Sequence, residues 1–264
     1  MTSSIRADAL RRMTRRHLSH AILPGIAFVA IAALFALTDL DRTLARAWAF
    51  DATLGVFPAR GAWWSTNLLH DGGRHLLWAI WLATIGTYVA SFINVDWRVY
   101  RRPALFTFVA IALATLTVNV LKALSNVDCP WDLAEFGGAL PYVPFFADRP
   151  NELPFAACFP GSHSSSGFAL VAFYFALRER WPRAARVALL SGLAVGAVFA
   201  FAQEARGAHF LSHDLWSGFI VWFVELGLYS GSFGGQLWPQ PQRSPSLSYA
   251  RLASARVARA NRVV

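Results

Sequence analysis

Long apolar segments separated by short polar ones make up most of this chain. Six of them approach the roughly 20 residues that an α-helix needs to cross a bilayer. They cover residues 21–38, 75–94, 103–124, 163–179, 185–203 and 209–231. We therefore predict an all-α integral membrane protein in which six transmembrane helices form one bundle.

The composition agrees with this pattern. Hydrophobic residues make up 56% of the 264 residues and charged residues only 15%, whereas soluble domains average about 25% charged residues. The first apolar segment follows a charged stretch but lacks a small-residue cleavage site. We interpret it as a retained helix rather than a signal peptide, and the pattern indicates neither a repeat nor a soluble domain.

The net charge of +9 is unevenly distributed. In a six-helix topology, 17 of the 24 basic residues fall on one side of the membrane, and the positive-inside rule makes that side the cytoplasm. Both termini are then cytoplasmic: residues 1–20 form a basic segment, residues 21–232 the membrane domain and residues 233–264 a basic tail. The arginines of the tail suit anionic membrane lipids better than nucleic acid.

The loop at 125–162 lies on the opposite side and is acidic and aromatic. Its rings are typical of anchors at the membrane surface. Cys129 and Cys158 bracket this loop. On an oxidising outer face we expect them to form a disulfide, and two unpaired buried thiols are the alternative.

Three polar clusters reach this outer face from three different helices. Ionisable groups at such depth are functional hypotheses by default, although a snorkelling lysine and a serine-rich helix cap are structural alternatives. Capping alone would scatter the clusters over both faces, so we predict one shared site. Its members are Lys122 on the third helix, His163 in CFPGSHSSSGF on the fourth, and Arg206, His209, His213 and Asp214 in QEARGAHFLSHDLWS on the sixth.

Histidines beside cations, hydroxyls and helix N-termini suit phosphoryl transfer. Cations offset the charge on phosphate oxygens, while one imidazole attacks phosphorus and another protonates the leaving oxygen. A zinc site is the alternative, because His209 and His213 are four residues apart. We predict no metal, because Lys122 and Arg206 would repel a cation. HDGGRH at 70–75 is a second conceivable metal cluster, which we interpret as a helix cap.

These clusters resemble the motifs of the type 2 phosphatidic acid phosphatase superfamily. The first family motif is Lys, six residues, then Arg-Pro; here Lys122 is followed after six residues by Cys-Pro at 129–130. The second motif is Pro-Ser-Gly-His, and PGSH at 160–163 exchanges Ser and Gly but keeps His163 in register.

The third family motif is Ser-Arg, five residues, His, three residues, Asp. His209 matches the histidine, but Gln203 stands at the arginine position, and Arg206 follows one helical turn later. His213 stands at the aspartate position with Asp214 beside it. We expect His213 to orient His209, because Asp214 would point about 100° away around a helix.

The resemblance implies that His209 is the nucleophile that forms a phosphohistidine, and that His163 is the general acid. It implies no metal or other cofactor. The implied phosphate-binding groups are Lys122, Arg206 and the backbone of Gly161 and Ser162. Arg149, which also precedes a proline, is a candidate replacement for the missing loop arginine.

The function implied by the resemblance is hydrolysis of a lipid phosphate or diphosphate at the outer leaflet. Candidate substrates are phosphatidic acid, phosphatidylglycerol phosphate, a polyprenyl diphosphate and the phosphate of lipid A. Arginine-rich, lysine-poor residue usage suggests a bacterial inner membrane with a periplasmic site. The alternatives are a lipid phosphotransferase and a degenerate, non-catalytic lipid-binding or channel protein; the sequence does not indicate an oligomeric state.

Overall fold

A computed structural model describes residues 18–234 and 236–238. Within this part of the chain the regular elements are all helices, joined by loops that contain isolated β-bridges. The basic N-terminal segment and most of the basic tail lie outside the described residues. Their domain boundaries and cytoplasmic placement therefore stay predictions.

Eight α-helices carry the fold. Short π-helical or 3₁₀ turns extend several of them, notably the π-helical stretch Trp64–Gly72, which runs directly into α3. The α-helices are α1 (Leu23–Leu37), α2 (Leu40–Leu44), α3 (Gly73–Ile93), α4 (Arg101–Ser125), α5 (Ser162–Phe168), α6 (Ala172–Leu177), α7 (Pro182–Ala205) and α8 (Leu211–Gly227).

Four stretches of the described residues are long and apolar enough to cross a membrane. They are His20–Leu37, Trp64–Ile93, Val95–Ser125 and Pro182–Ala205. They correspond to the first, second, third and fifth predicted segments. The all-helical, membrane-spanning character is thus confirmed, whereas the complete six-helix topology stays a prediction.

The predicted fourth and sixth segments differ from simple spanning helices. The fourth is divided into α5 and α6 by the 3₁₀ turn Ala169–Val171, and the sixth begins at Leu211 rather than 209. The fourth packs closely on α7, because a Cβ on Gly167 would lie 2.8 Å from the Cα of Gly196. Such small residues let helix backbones approach each other in membranes.

The largest hydrophobic core lies towards the basic-residue end of the bundle, where α4, α6 and α8 meet. Leu237 and Trp238 join it from beyond α8 and are buried. The backbone N–H of Leu237 donates to a carboxylate oxygen of Glu179 at 2.8 Å. The indole N–H of Trp238 donates to the carbonyl of Ala176 at 2.7 Å. These contacts close that end of the bundle.

A second, smaller core lies at the opposite end, where the long loops pack over the helix ends. Phe57, Phe136 and Phe210 form its centre. Arg42 and Arg46 both donate to Glu135, at 2.6 and 2.5 Å. Burial alone would raise the pKa of Glu135, but these hydrogen bonds outweigh it and lower the pKa. These contacts hold the loops against the end of the bundle at which the predicted site lies.

A disulfide joins Cys129 to Cys158, whose Cα atoms are 5.2 Å apart. This distance lies within the usual range for disulfides. The bond ties the start of the 125–162 loop to its end, just before the chain enters α5. It therefore fixes the approach of the PGSH turn to the bundle.

Candidate active site

His209 and Asp214 form a buried pair at the start of α8. Nδ1 of His209 lies 2.8 Å from Oδ1 of Asp214, and the two residues are only 6% and 1% exposed. His209 itself precedes the helix, in a connection that turns at Gly207 with a φ of +72°. When the His209 ring is neutral and donates its Nδ1 proton in a hydrogen bond to the carboxylate, Nε2 carries the lone pair.

The structure corrects the expected partner of His209. His213 instead places its Nδ1 3.1 Å from the carbonyl oxygen of Cys158. In a helix that included His209, Asp214 would face away from it. Because α8 begins only at Leu211, the His209 ring can fold back over the first turn and reach Asp214.

The PGSH turn packs directly on this pair. Ser164 donates its hydroxyl to Oδ1 of Asp214 at 2.5 Å. A Cβ on Gly161 would lie 2.1 Å from that oxygen and 2.8 Å from Nδ1 of His209. Only glycine fits at position 161 in this arrangement.

The backbone N–H groups of Gly161 and Ser162 are predicted to bind phosphate, and the structure shows a different partner for that of Gly161. The Gly161 N–H donates to the carbonyl of His213 at 3.1 Å, so it is already engaged. Ser162 opens α5, where the first N–H groups of a helix have no partner within the helix. Its buried hydroxyl also has no hydrogen-bond partner among the described residues.

His163 lies in the first turn of α5. Its Nε2 is 3.1 Å from the carbonyl oxygen of Leu69, and its ring stacks on Phe199 with the centroids 4.3 Å apart. His209 and Asp214 lie close enough to act on it electrostatically. The structure thus brings both predicted catalytic histidines to one site.

His70, which the sequence predicted to be part of a helix cap, also belongs to this site. Its ring centroid lies 4.5 Å from that of His163, and its Nδ1 lies 3.1 Å from Nε2 of Gln203. The described residues contain no group of three or more His, Cys, Asp or Glu that could hold a metal. The sequence feature that could have identified His70 was its position on the outer side of the second predicted helix.

Two predicted cations lie beside the histidines. Arg206 donates through Nη1 to Oε1 of Gln203 at 3.3 Å, and Gln203 is only 3% exposed. Burial lowers the pKa of Arg206, but a guanidinium stays protonated in proteins. Lys122, near the end of α4, interacts electrostatically with Asp214.

Arg149, the candidate replacement for the loop arginine, is paired with Asp128. Both of its terminal nitrogens bind the Asp128 carboxylate, and Nη2 also donates to the carbonyl of Pro154 at 2.9 Å. This buried ion pair engages both terminal nitrogens, whereas Nε has no hydrogen-bond partner among the described residues. Its role here is to hold the loop together.

The family model that matches this chain is the PAP2 superfamily, over residues 103–234. The chain belongs to the PAP2 superfamily. The matched half runs from α4 to just beyond α8 and includes Lys122, His163, His209 and Asp214. No curated protein and no solved structure matches the chain. PAP2 proteins are phosphatases, so membership indicates a phosphoric ester hydrolase.

Proposed function

We propose that this PAP2 protein hydrolyses a lipid phosphate or diphosphate through a phosphohistidine intermediate. The observation that carries the proposal is the buried His209–Asp214 pair, in which the carboxylate engages Nδ1 of His209. A carboxylate in this position orients the imidazole and stabilises the positive charge that develops on it. The same arrangement would be unnecessary in a passive lipid-binding protein.

In the first step, Nε2 of His209 attacks phosphorus and the bond from phosphorus to the lipid oxygen breaks. His163, in its protonated form, gives a proton to that leaving oxygen. In the second step, water attacks phosphorus and the P–N bond breaks, while His163 takes the proton from the water. Inorganic phosphate leaves, and both histidines return to their starting forms.

Phosphate binding is assigned to Arg206, Lys122 and Ser162. The two cations offset charge on the phosphate oxygens. The unpartnered Ser162 hydroxyl can donate to one of those oxygens. This set differs from the family pattern, because neither position 129 nor position 203 carries an arginine.

A groove between α3, α4 and α5 supports a lipid substrate. Its volume is about 460 Å³. Polar residues line one part of it, including Ser162 and Arg74, while the rest is lined by apolar side chains such as Trp78, Trp81 and Leu116. A lipid would place its phosphate near Ser162 and its chain along the apolar wall.

Location at a bacterial inner membrane, with the site facing the periplasm, is part of the same proposal. It is supported by the one-sided distribution of basic residues. The disulfide agrees with it, because disulfides persist in oxidising compartments.

The decisive experiment is a phosphate-release assay on purified full-length protein in detergent. The panel contains phosphatidic acid, phosphatidylglycerol phosphate, a polyprenyl diphosphate and lipid A, and His209→Ala is the matched control. We expect release from at least one lipid and none from the variant. Wild-type activity in His209→Ala, or binding of these lipids without phosphate release, would overturn the proposal.

Metal dependence separates this chemistry from the zinc alternative. Activity should survive strong chelators, and vanadate should inhibit because it mimics the five-coordinate phosphorus. Activity that is lost in chelator and restored by zinc would instead assign His209 and His213 to a metal.

A further inference from the structure

The side chain that replaces the motif arginine is linked to a histidine outside the family motifs. Gln203 contacts Arg206 through Oε1 and His70 through Nε2, at 3.3 and 3.1 Å. These three residues come from two segments. Gln203 and Arg206 lie at the end of α7, and His70 lies in the π-helical stretch Trp64–Gly72 that precedes α3. Such π-helical stretches are frequent at functional sites.

The chemistry of Arg206 fixes the direction of both hydrogen bonds. A guanidinium can only donate, so the Gln203 atom facing it must be the amide oxygen. The amide nitrogen then faces His70 and donates to its Nδ1. A neutral imidazole that accepts at Nδ1 carries its proton on Nε2, so His70 is held with Nε2–H as a donor.

We propose that His70 is a phosphate-binding residue, which donates Nε2–H to a phosphate oxygen and, with Gln203 and Arg206, replaces the missing motif arginine. Arg206 supplies the charge and His70 supplies a directed donor. The proposal rests on the proposed function, because the bound group is the phosphate that His209 attacks.

The position of His70 supports this role. Its ring lies 4.5 Å from that of His163, and the neighbouring Leu69 carbonyl accepts from His163. Arg206 and His209 lie close enough to act on His70 electrostatically. It is therefore beside the proposed general acid and within the field of the nucleophile.

Two substitutions separate phosphate binding from simple packing. His70→Phe keeps a ring against His163 but removes the donor. His70→Gln removes the ring but keeps an N–H near the position of Nε2. If His70 binds phosphate, Gln should retain more affinity than Phe; if it only packs, Phe should retain more.

The measurements are KM, kcat and inhibition constants for vanadate and inorganic phosphate, on full-length protein. His70→Phe should weaken inhibitor binding and raise KM by about 10–100-fold, the range for a hydrogen bond to a charged group. His70→Gln should lose less than His70→Phe. Adding Gln203→Arg to His70→Phe should recover part of the lost affinity, because it returns the family's arginine.

Unchanged affinity in His70→Phe overturns the proposal, and so does an equal loss in both single variants, with thermal unfolding recorded on the same samples. If wild-type protein releases phosphate and His70→Phe keeps its KM, only the His70 proposal fails. If wild-type protein releases phosphate from no lipid, the proposed function fails. Binding of inorganic phosphate to wild type and His70→Phe then decides the role of His70.

Discussion

At the scale of single residues, the short connection before α8 determines the chemistry of His209. The extended backbone at Phe210 precedes the helix, so the ring folds back over the first turn. Asp214 then holds Nδ1, and His213 turns away to Cys158. His213 and Asp214 are adjacent in the sequence but thus have different partners, the Cys158 carbonyl and His209.

Asp214→Asn should therefore lower kcat by about 10²–10⁴-fold, because an amide cannot stabilise the developing imidazolium as a carboxylate does. His213→Gln should keep the hydrogen bond to Cys158 and lose less than about tenfold. Phosphate release measured on one lipid substrate compares the two. A larger loss in His213→Gln than in Asp214→Asn would contradict the observed pairing.

The role of His163 can be tested by varying the leaving group. Nitrophenolate is a weak base and leaves without being protonated, whereas a lipid alkoxide needs a proton in order to leave. In His163→Ala, the ratio of nitrophenyl phosphate to lipid monophosphate hydrolysis should rise by roughly 10²–10⁴-fold, the usual contribution of a general acid. An unchanged ratio would assign the proton to another group.

Asp41 caps α8 and should make stability depend on pH. It accepts from the backbone N–H and the hydroxyl of Ser212, at 3.0 and 2.5 Å. Burial raises its pKa from 3.8 to about 6. Between these values the folded state binds more protons than the unfolded state, so the free energy of unfolding falls as pH rises towards 6.

Asp41→Asn keeps partners for Ser212 and removes the charge. Its melting temperature relative to wild type should therefore be higher at about pH 7.5 than at about pH 5, where folded wild type is itself largely protonated. Thermal unfolding in detergent at both values measures this. If the melting temperatures of variant and wild type differ by the same amount at both pH values, Asp41 does not titrate in this range.

At the scale of elements, the PGSH turn and the start of α8 behave as one unit, because Gly161 contacts both His209 and Asp214. Gly161→Ala should lower kcat by at least about tenfold, since its Cβ would lie 2.1 Å from Oδ1 of Asp214 and misplaced catalytic groups react slowly. Gly86→Ala, on the same bundle, is the control, because nothing lies within 4 Å of a Cβ there. Full activity in Gly161→Ala would show that the turn is not packed as described.

The helices long enough to span a membrane could be predicted from the sequence, because the length of the hydrophobic segments marks them. The placement of the polar clusters on one face could be predicted from the charge asymmetry. The 3₁₀ turn that divides the fourth helix could not be predicted, because the apolar pattern continues through it. The Asp214 contact required knowing that α8 begins after His209. The role of His70 could not be predicted, because it depends on the tertiary contact with Gln203, which the local sequence pattern does not reveal.

At the scale of the whole molecule, the two ends of the bundle differ in charge and should face different compartments. Both cysteines of the chain are in the disulfide, so a new cysteine can be labelled without background. Phe146→Cys should react with a membrane-impermeant maleimide in intact spheroplasts, because Phe146 is 77% exposed on the loop side. Arg183→Cys, at the exposed start of α7, should react only after permeabilisation. The reverse result would place the site in the cytoplasm.

The docking of Leu237 and Trp238 against Glu179 and Ala176 has a consequence for the order of events during synthesis. The ribosome makes these two residues after α1 to α8, so the basic-residue end of the bundle stays open until they emerge. Until then the Ala176 carbonyl lacks its indole donor, and the Glu179 carboxylate, which also accepts from the Tyr229 hydroxyl, lacks the backbone N–H of Leu237. Leu237 and Trp238 therefore complete this end of the bundle only once translation has passed α1 to α8.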